Sequence, residues 1–194
     1  MPSTFTPSVL RRLALGAALG VGLLGTAAAA QFSTLDTEAS RVSFAYSQMG
    51  VGMEGGFGEV KATQFSFDTD NPEAAQVTLE IPLASIDAGY PDANTELEKP
   101  EWLSLADHPV ATFTSTQVTS AGDQQYEVTG DLTIKGQTRP VTVPFTFTEN
   151  GDNGVFEGNF TFQRTDFGIG EGPWGDVSIV ADDIQINFHI VAQP

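Results

Sequence analysis

Residues 126–147 read YEVTGDLTIKGQTRPVTVPFTF, and the alternation in this stretch decides the fold. Its first arm sets Tyr126, Val128, Leu132 and Ile134 on one face, against Glu127, Thr129, Asp131 and Thr133 on the other. Its second arm sets Val141, Val143, Phe145 and Phe147 against Thr142, Thr146 and Thr148. A period of two is the mark of half-buried β-strands. Between the arms, residues 135–140 supply a glycine for the turn and Pro140 to open the returning strand. The result is a long antiparallel hairpin with one apolar face. Such a hairpin cannot bury that face alone, so the rest of the chain must close over it.

The same alternation recurs along the chain. Val42, Phe44 and Tyr46 mark a strand, which ends near Met49-Gly50. Five glycines between Gly50 and Gly58 then read as a flexible connection. Val60, Ala62, Phe65 and Phe67 follow as a strand whose phase slips near Thr63-Gln64, the signature of a bulge. After a turn over residues 68–72, Val77, Leu79, Ile81 and Leu83 alternate, with Pro82 arguing for an edge or a bend. Residues 110–118, 156–162 and 184–190 give three further strands. Residues 92–108 break the pattern. Thr95 and Glu98 have capping-box spacing, Pro100 keeps any helix short, and Leu97, Trp102, Leu103 and Leu105 supply an apolar side. This segment reads as a helical lid over the mouth of the β structure. About eight antiparallel strands predict an all-β, closed eight-stranded barrel with a short helical lid segment. A sandwich has no disulfide or buried-tryptophan pattern in its favour.

The first thirty residues read as a secretory signal peptide. Arg11-Arg12 form its positive n-region, Leu13 to Leu24 its apolar centre, and Ala28-Ala29-Ala30 its cleavage site. The apolar run is short for a membrane span, and no Ser or Thr precedes the arginine pair, so ordinary secretion is preferred to the twin-arginine route. Cleavage after Ala30 leaves residues 31–194 as one domain, with six basic residues against 25 acidic ones and a net charge near −19. That balance disfavours nucleic acid and anionic membrane surfaces as resting partners. There is no cysteine, so packing and sheet hydrogen bonds must hold the fold.

Three stretches, GDLTIKGQTRPV at 130–141, HPVATF at 108–113 and RTDFGIG at 164–170, together resemble the YceI-like family of exported bacterial proteins. Weaker matches lie at residues 84–87 and at Trp102-Leu103, so the likeness spans the chain beyond the signal. The resemblance implies a periplasmic, lipocalin-like barrel holding an isoprenoid lipid or similar chain in its interior. It brings no catalytic residues with it. The chain departs from longer members in its glycine-rich passage at 168–175 and at residues 48–51.

The chain contains fourteen phenylalanines, and many fall on the inward phase of their strands. They either fill the barrel or line a ligand space, and the resemblance favours the second. The expected ligand contacts are Phe44, Tyr46, Met49, Phe65, Leu79, Ile81, Trp102, Phe113, Leu132, Ile134, Phe145, Phe160, Phe162, Arg164, Phe167 and Ile186. Arg164, Lys135 and Arg139 are the basic candidates for a polar head. The simpler reading of Arg164 pairs it with Asp166. With so acidic a chain, a neutral head such as a quinone is favoured over a pyrophosphate. No catalytic residue, cofactor or metal is expected. There is no nucleophile elbow or phosphate loop, and His108 and His189 stand apart with no cysteine beside them. The Asp68-x-Asp70 pair reads as a turn rather than a calcium loop. The expected partner is therefore an isoprenoid lipid or quinone, with only transient membrane contact, and strand-edge pairing offers a route to a homodimer. The competing readings are an enzyme acting on such a lipid, and a solid barrel that meets a protein partner through its acidic surface.

Overall fold

The computed structural model describes Met1 and residues 30–194, so residues 2–29 of the segment read as a secretory signal peptide, its arginine pair included, lie outside the described residues. The elements are β1 Gln31–Phe32, β2 Thr34–Gln48, β3 Val51–Phe57, β4 Lys61–Asp68, β5 Gln76–Pro82, β6 Ile86–Asp87, α1 Pro91–Leu97, β7 Val110–Gly122, β8 Gln125–Ile134, β9 Gln137–Asn150, β10 Asn153–Gln163 and β11 Asp183–Gln193. The strands form one antiparallel sheet in the order β1-β4-β5-β7-β8-β9-β10-β11-β2-β3-β6.

The sheet closes through its first strand. β1 runs into β2 across Ser33, whose N–H donates to the Gln193 carbonyl at 2.9 Å. Residues 31–32 pair with Asp68 and Phe67 of β4, whereas β2 pairs with β11. One segment therefore joins both sides of the seam. At the other edge, the chain leaves β5 through a 3-10 turn at Leu83–Ser85 and returns as β6 against Gly56 and Phe57 of β3. The all-β barrel expected from the alternation is present, and each of its eight strands is found. The count is eleven rather than eight, because β1, β3 and β6 are added.

Three local expectations need correction. Residues 51–57, read as a flexible glycine-rich connection, are strand β3, paired with β2 from Val42 to Gln48. The hairpin turn is only Lys135-Gly136, with φ of 49° and 71°, and Ile134 pairs directly with Gln137. Positive φ at both positions is the tight turn that matches strand twist, so Pro140 sits inside β9 rather than at its start. The lid helix begins at Pro91 with Tyr90 as its N-cap, and Thr95 instead bonds back to the Pro91 carbonyl at 3.1 Å. The slip near Thr63 is real: the β4–β5 register shifts between Ala62 and Gln64.

The core has two parts. At one end Phe32, Phe67, Phe147 and Phe156 pack ring against ring, with centroids 5.0 Å apart for Phe67–Phe147, Phe67–Phe156 and Phe147–Phe156. At the other end Leu83, Trp102, Leu103, Ile134, Ile169 and Val180 gather beneath the lid. The first cluster is a floor, and the second surrounds a mouth.

Candidate functional site

Between these clusters lies a cavity of about 490 Å³. Fourteen of the sixteen predicted contacts line it: Phe44, Tyr46, Phe65, Leu79, Ile81, Trp102, Phe113, Leu132, Ile134, Phe145, Phe160, Phe162, Arg164 and Ile186. Phe65, Leu79, Phe113, Phe160, Phe162 and Ile186 point inward yet are only half buried, because their free surface faces the cavity. The barrel is not solid. Phe44 packs on Tyr46 and Phe57, and Phe162 on Phe160 and Phe167, leaving the space between them open.

Met49 and Phe167 are the two exceptions. Met49 is 72% exposed on the tip of the β2–β3 hairpin, where the chain must turn. Phe167 is buried in the cluster at the mouth end, packed edge-on against Phe162 rather than on the cavity surface, and it borders a small groove between β9 and β10. Sequence reading also missed wall residues. Phe57 was hidden among glycines, Phe188 sits over Gly158, and Tyr90, Glu96 and Trp174 lie in segments without strand periodicity. Tyr90 and Asp92 are the lining residues that reach the surface, so the mouth lies between the end of β2, α1 and the segment near residue 175.

The three sequence stretches that stood out converge at this end. His108 rests against the hairpin turn, where a Cβ on Gly136 would lie 2.9 Å from its ring. Lys135 of the same turn donates to the Gly168 carbonyl and pairs with Glu171 at 2.9 Å. Arg164 holds the loop that follows. Its Nε donates to Ala181, its Nη1 to Ile169 and Gly170, and its Nη2 to Trp174 and Val180, all backbone carbonyls at 2.7–3.1 Å. A guanidinium has five N–H donors, and here each meets a carbonyl. Burial pulls Arg164 below its ordinary value, with Asp182 opposing. The pairing with Asp166 is therefore wrong, and Arg164 has no donor left for a ligand head. Lys135 is occupied by Glu171, and Arg139 is exposed on the outer wall, with Nη1 on the Thr138 carbonyl at 2.9 Å. His189 likewise points outward to Glu157 at 2.8 Å.

The polar groups on the cavity wall collect at the mouth. The Tyr90 hydroxyl donates to Gln48 Oε1 at 3.3 Å, and desolvation, then Tyr90, raises the Tyr46 hydroxyl above its ordinary value. Trp174 Nε1 donates to Glu96 Oε1 at 3.0 Å, tying the 3-10 turn Gly172–Trp174 to α1. Lys99 is the main cause of the low Glu96 carboxyl pKa, and desolvation partly opposes it before the smaller help from Trp174. Trp102 contributes least, since no acceptor reaches hydrogen-bonding geometry at its buried Nε1. The wall thus offers a long apolar interior, a neutral hydrogen-bonding rim and the two carboxylates of Asp92 and Glu96.

A barrel closed at one end, with an apolar cavity under a lid, defines a lipocalin-like protein. Residues 34–192 match the YceI-like domain, and the chain belongs to that family. A UPF0312 protein of Pseudomonas savastanoi pv. phaseolicola is 34% identical over 193 residues, covering 93% of this chain and 97% of its own. BcnA of Burkholderia cenocepacia has the same fold, with a TM-score of 0.79 and 40% identity, over 82% of this chain and 99% of that one. A polyisoprenoid binding domain from Saccharophagus degradans, implicated in plant cell wall breakdown, superposes with a TM-score of 0.66 over 85% of this chain and 98% of its own. Its identity of 15% supports the fold alone.

Proposed function

We propose that this protein is an exported, periplasmic carrier or sequestering protein for an isoprenoid-type lipid, with the tail in the barrel and a neutral head, such as a quinone ring, at the mouth. The observation that carries this reading is the cavity itself. Its volume of about 490 Å³ falls within the usual range for ligand sites, and its wall is formed by inward Phe, Leu, Ile and Val side chains. The neutral head follows from the charges at the mouth. The one cationic side chain on the wall, Arg164, has every donor engaged, whereas Asp92 and Glu96 would face an anionic head.

Energetics favour reversible carriage. Removing each CH₂ from water yields about 0.8 kcal/mol, so a five-carbon unit yields about 4 kcal/mol. A tail of several units would exceed any real affinity if water were the reference. The tail comes instead from a bilayer, where it is already out of water, so transfer between membrane and barrel lies near balance. The protein touches the membrane only during exchange and performs no chemistry on its cargo. Mass spectrometry of an organic extract from protein purified out of its native periplasm tests the reading. A stoichiometric isoprenoid lipid is expected. An empty extract, with no uptake of added quinone or polyprenol, sinks it.

A further inference from the structure

Large apolar side chains at the surface are few among the described residues. Apart from Met1, they are Met49, Val51, Tyr90, Val110 and Val177. Four of these five meet at one place. Met49 and Val51 flank the Gly50 tip of the β2–β3 hairpin. The Met49 N–H donates to the Ile179 carbonyl at 2.7 Å and Gln48 bridges to Val180, which brings that tip against the segment carrying Val177. Tyr90 joins through its hydroxyl on Gln48. The cavity opens here, because Gln48 and Tyr90 belong to its wall.

Met49, Val51 and Val177 are 72%, 61% and 50% exposed and lie off the cavity wall, so they do not serve the ligand space directly. An exposed apolar group rimmed by polar residues marks a contact surface. We propose that this rim docks the barrel on a bilayer of zwitterionic lipid, with the cavity mouth against the membrane. This rests on the lipid-carrier reading above.

Continuity and charge select that occupant. The apolar side chains lie beside the opening through which a lipid tail must pass, so docking lets the tail move without crossing water. The three rim segments, residues 46–54, 88–98 and 172–181, carry Glu54, Asp92, Glu96, Glu98 and Asp176, and the one lysine that adjoins them, Lys99, is taken up by Glu96, which leaves the rim acidic. An anionic bilayer repels such a rim. A zwitterionic one presents ammonium groups to its carboxylates. A second copy is a poorer fit, because a two-fold contact through this patch would set like acidic segments against each other.

The test uses the M49E/V177E variant, whose two positions lie off the cavity wall. Wild-type protein is expected to float with phosphatidylcholine vesicles and to take up a polyprenyl quinone from them, with less uptake when phosphatidylglycerol is added at low salt. The variant is expected to lose flotation and to take up the quinone from vesicles more slowly by roughly tenfold or more. Its uptake from detergent micelles should match wild type. Equal uptake from vesicles by both proteins overturns the docking rim, as does stronger flotation of wild type on anionic vesicles. A wild-type dimer that dissociates in the variant, without flotation, assigns the rim to a second copy and also overturns it. If wild type takes up quinone from neither source, the carrier reading fails, and flotation alone then decides the rim.

Discussion

Phe44 of β2 stands opposite Gly55 of β3 in register, and a Cβ on Gly55 would lie 2.3 Å from Phe44 Cζ. The same Cβ would lie 2.6 Å from the Asp87 carbonyl oxygen, which is backbone and cannot swing away. Moving the ring into the cavity would therefore not relieve Gly55→Ala. The variant is expected to lose about 1–3 kcal/mol of stability in urea unfolding. Gly52→Ala on the same strand, with nothing within 4 Å, should be close to neutral. If the two variants unfold alike, the Phe44–Gly55 contact is not what requires glycine there.

That contact also explains what the sequence hid. The eight strands with alternating Val, Ile and Phe were legible because their own side chains build the wall. β3 was not, since Phe44 takes the volume that a side chain at Gly55 would fill. The same happens at Gly130 under Phe113 and at Gly158 under Phe188, where the flanking pattern was strong enough to keep the strand visible. The cavity wall was legible for the same reason as the strands. The residues of its mouth were not, because Tyr90, Glu96 and Trp174 are placed by long-range contacts, Tyr90 with Gln48, Glu96 with Trp174 and Trp174 with Arg164, that no local period encodes. Arg164 could be singled out in sequence, but its five carbonyl partners belong to a loop with no regular pattern.

Val77 lines the cavity and is half buried, so a larger side chain there has space to enter. Val77→Phe should change stability by less than about 1.5 kcal/mol, since the ring occupies the cavity rather than displacing neighbours. Titration with a polyprenyl quinone should show affinity weakened by about four- to fifteenfold, as lost apolar contact of one to two CH₂ equivalents implies. A large loss of stability with unchanged lipid affinity would mean that Val77 borders packed core instead.

Arg164 is fully buried and closes the 168–182 loop through five carbonyls. Arg164→Lys supplies at most three donors and cannot span them all. Each buried acceptor left without a partner costs about 1–3 kcal/mol, so a total loss above about 3 kcal/mol is expected. Chemical denaturation measures it, and limited proteolysis should cut first within residues 168–182. A stable, uncut Arg164→Lys variant would show that the loop is held by other contacts.

Glu96 links α1 to Trp174, and this link should respond to acid. Its carboxyl is held below the ordinary range, chiefly by Lys99 and in smaller part by Trp174. A carboxyl whose folded value is depressed stabilises the fold fully above its unfolded value and loses that contribution as pH falls through the folded value. The link therefore persists at neutral pH and weakens only below the ordinary carboxylate range. Protonation leaves Trp174 Nε1 with a poorer acceptor and frees Lys99, which loosens the turn Gly172–Trp174 from the lid helix. Tryptophan emission is the natural readout, because the chain has two tryptophans and their rings lie 5.4 Å apart at this site. Wild type should show an acid transition in emission below the ordinary carboxylate range, and Glu96→Gln should lack it. The same transition in Glu96→Gln would place the acid-sensitive group elsewhere, for example at Asp176, whose carboxyl is held low chiefly by the Ser178 side chain.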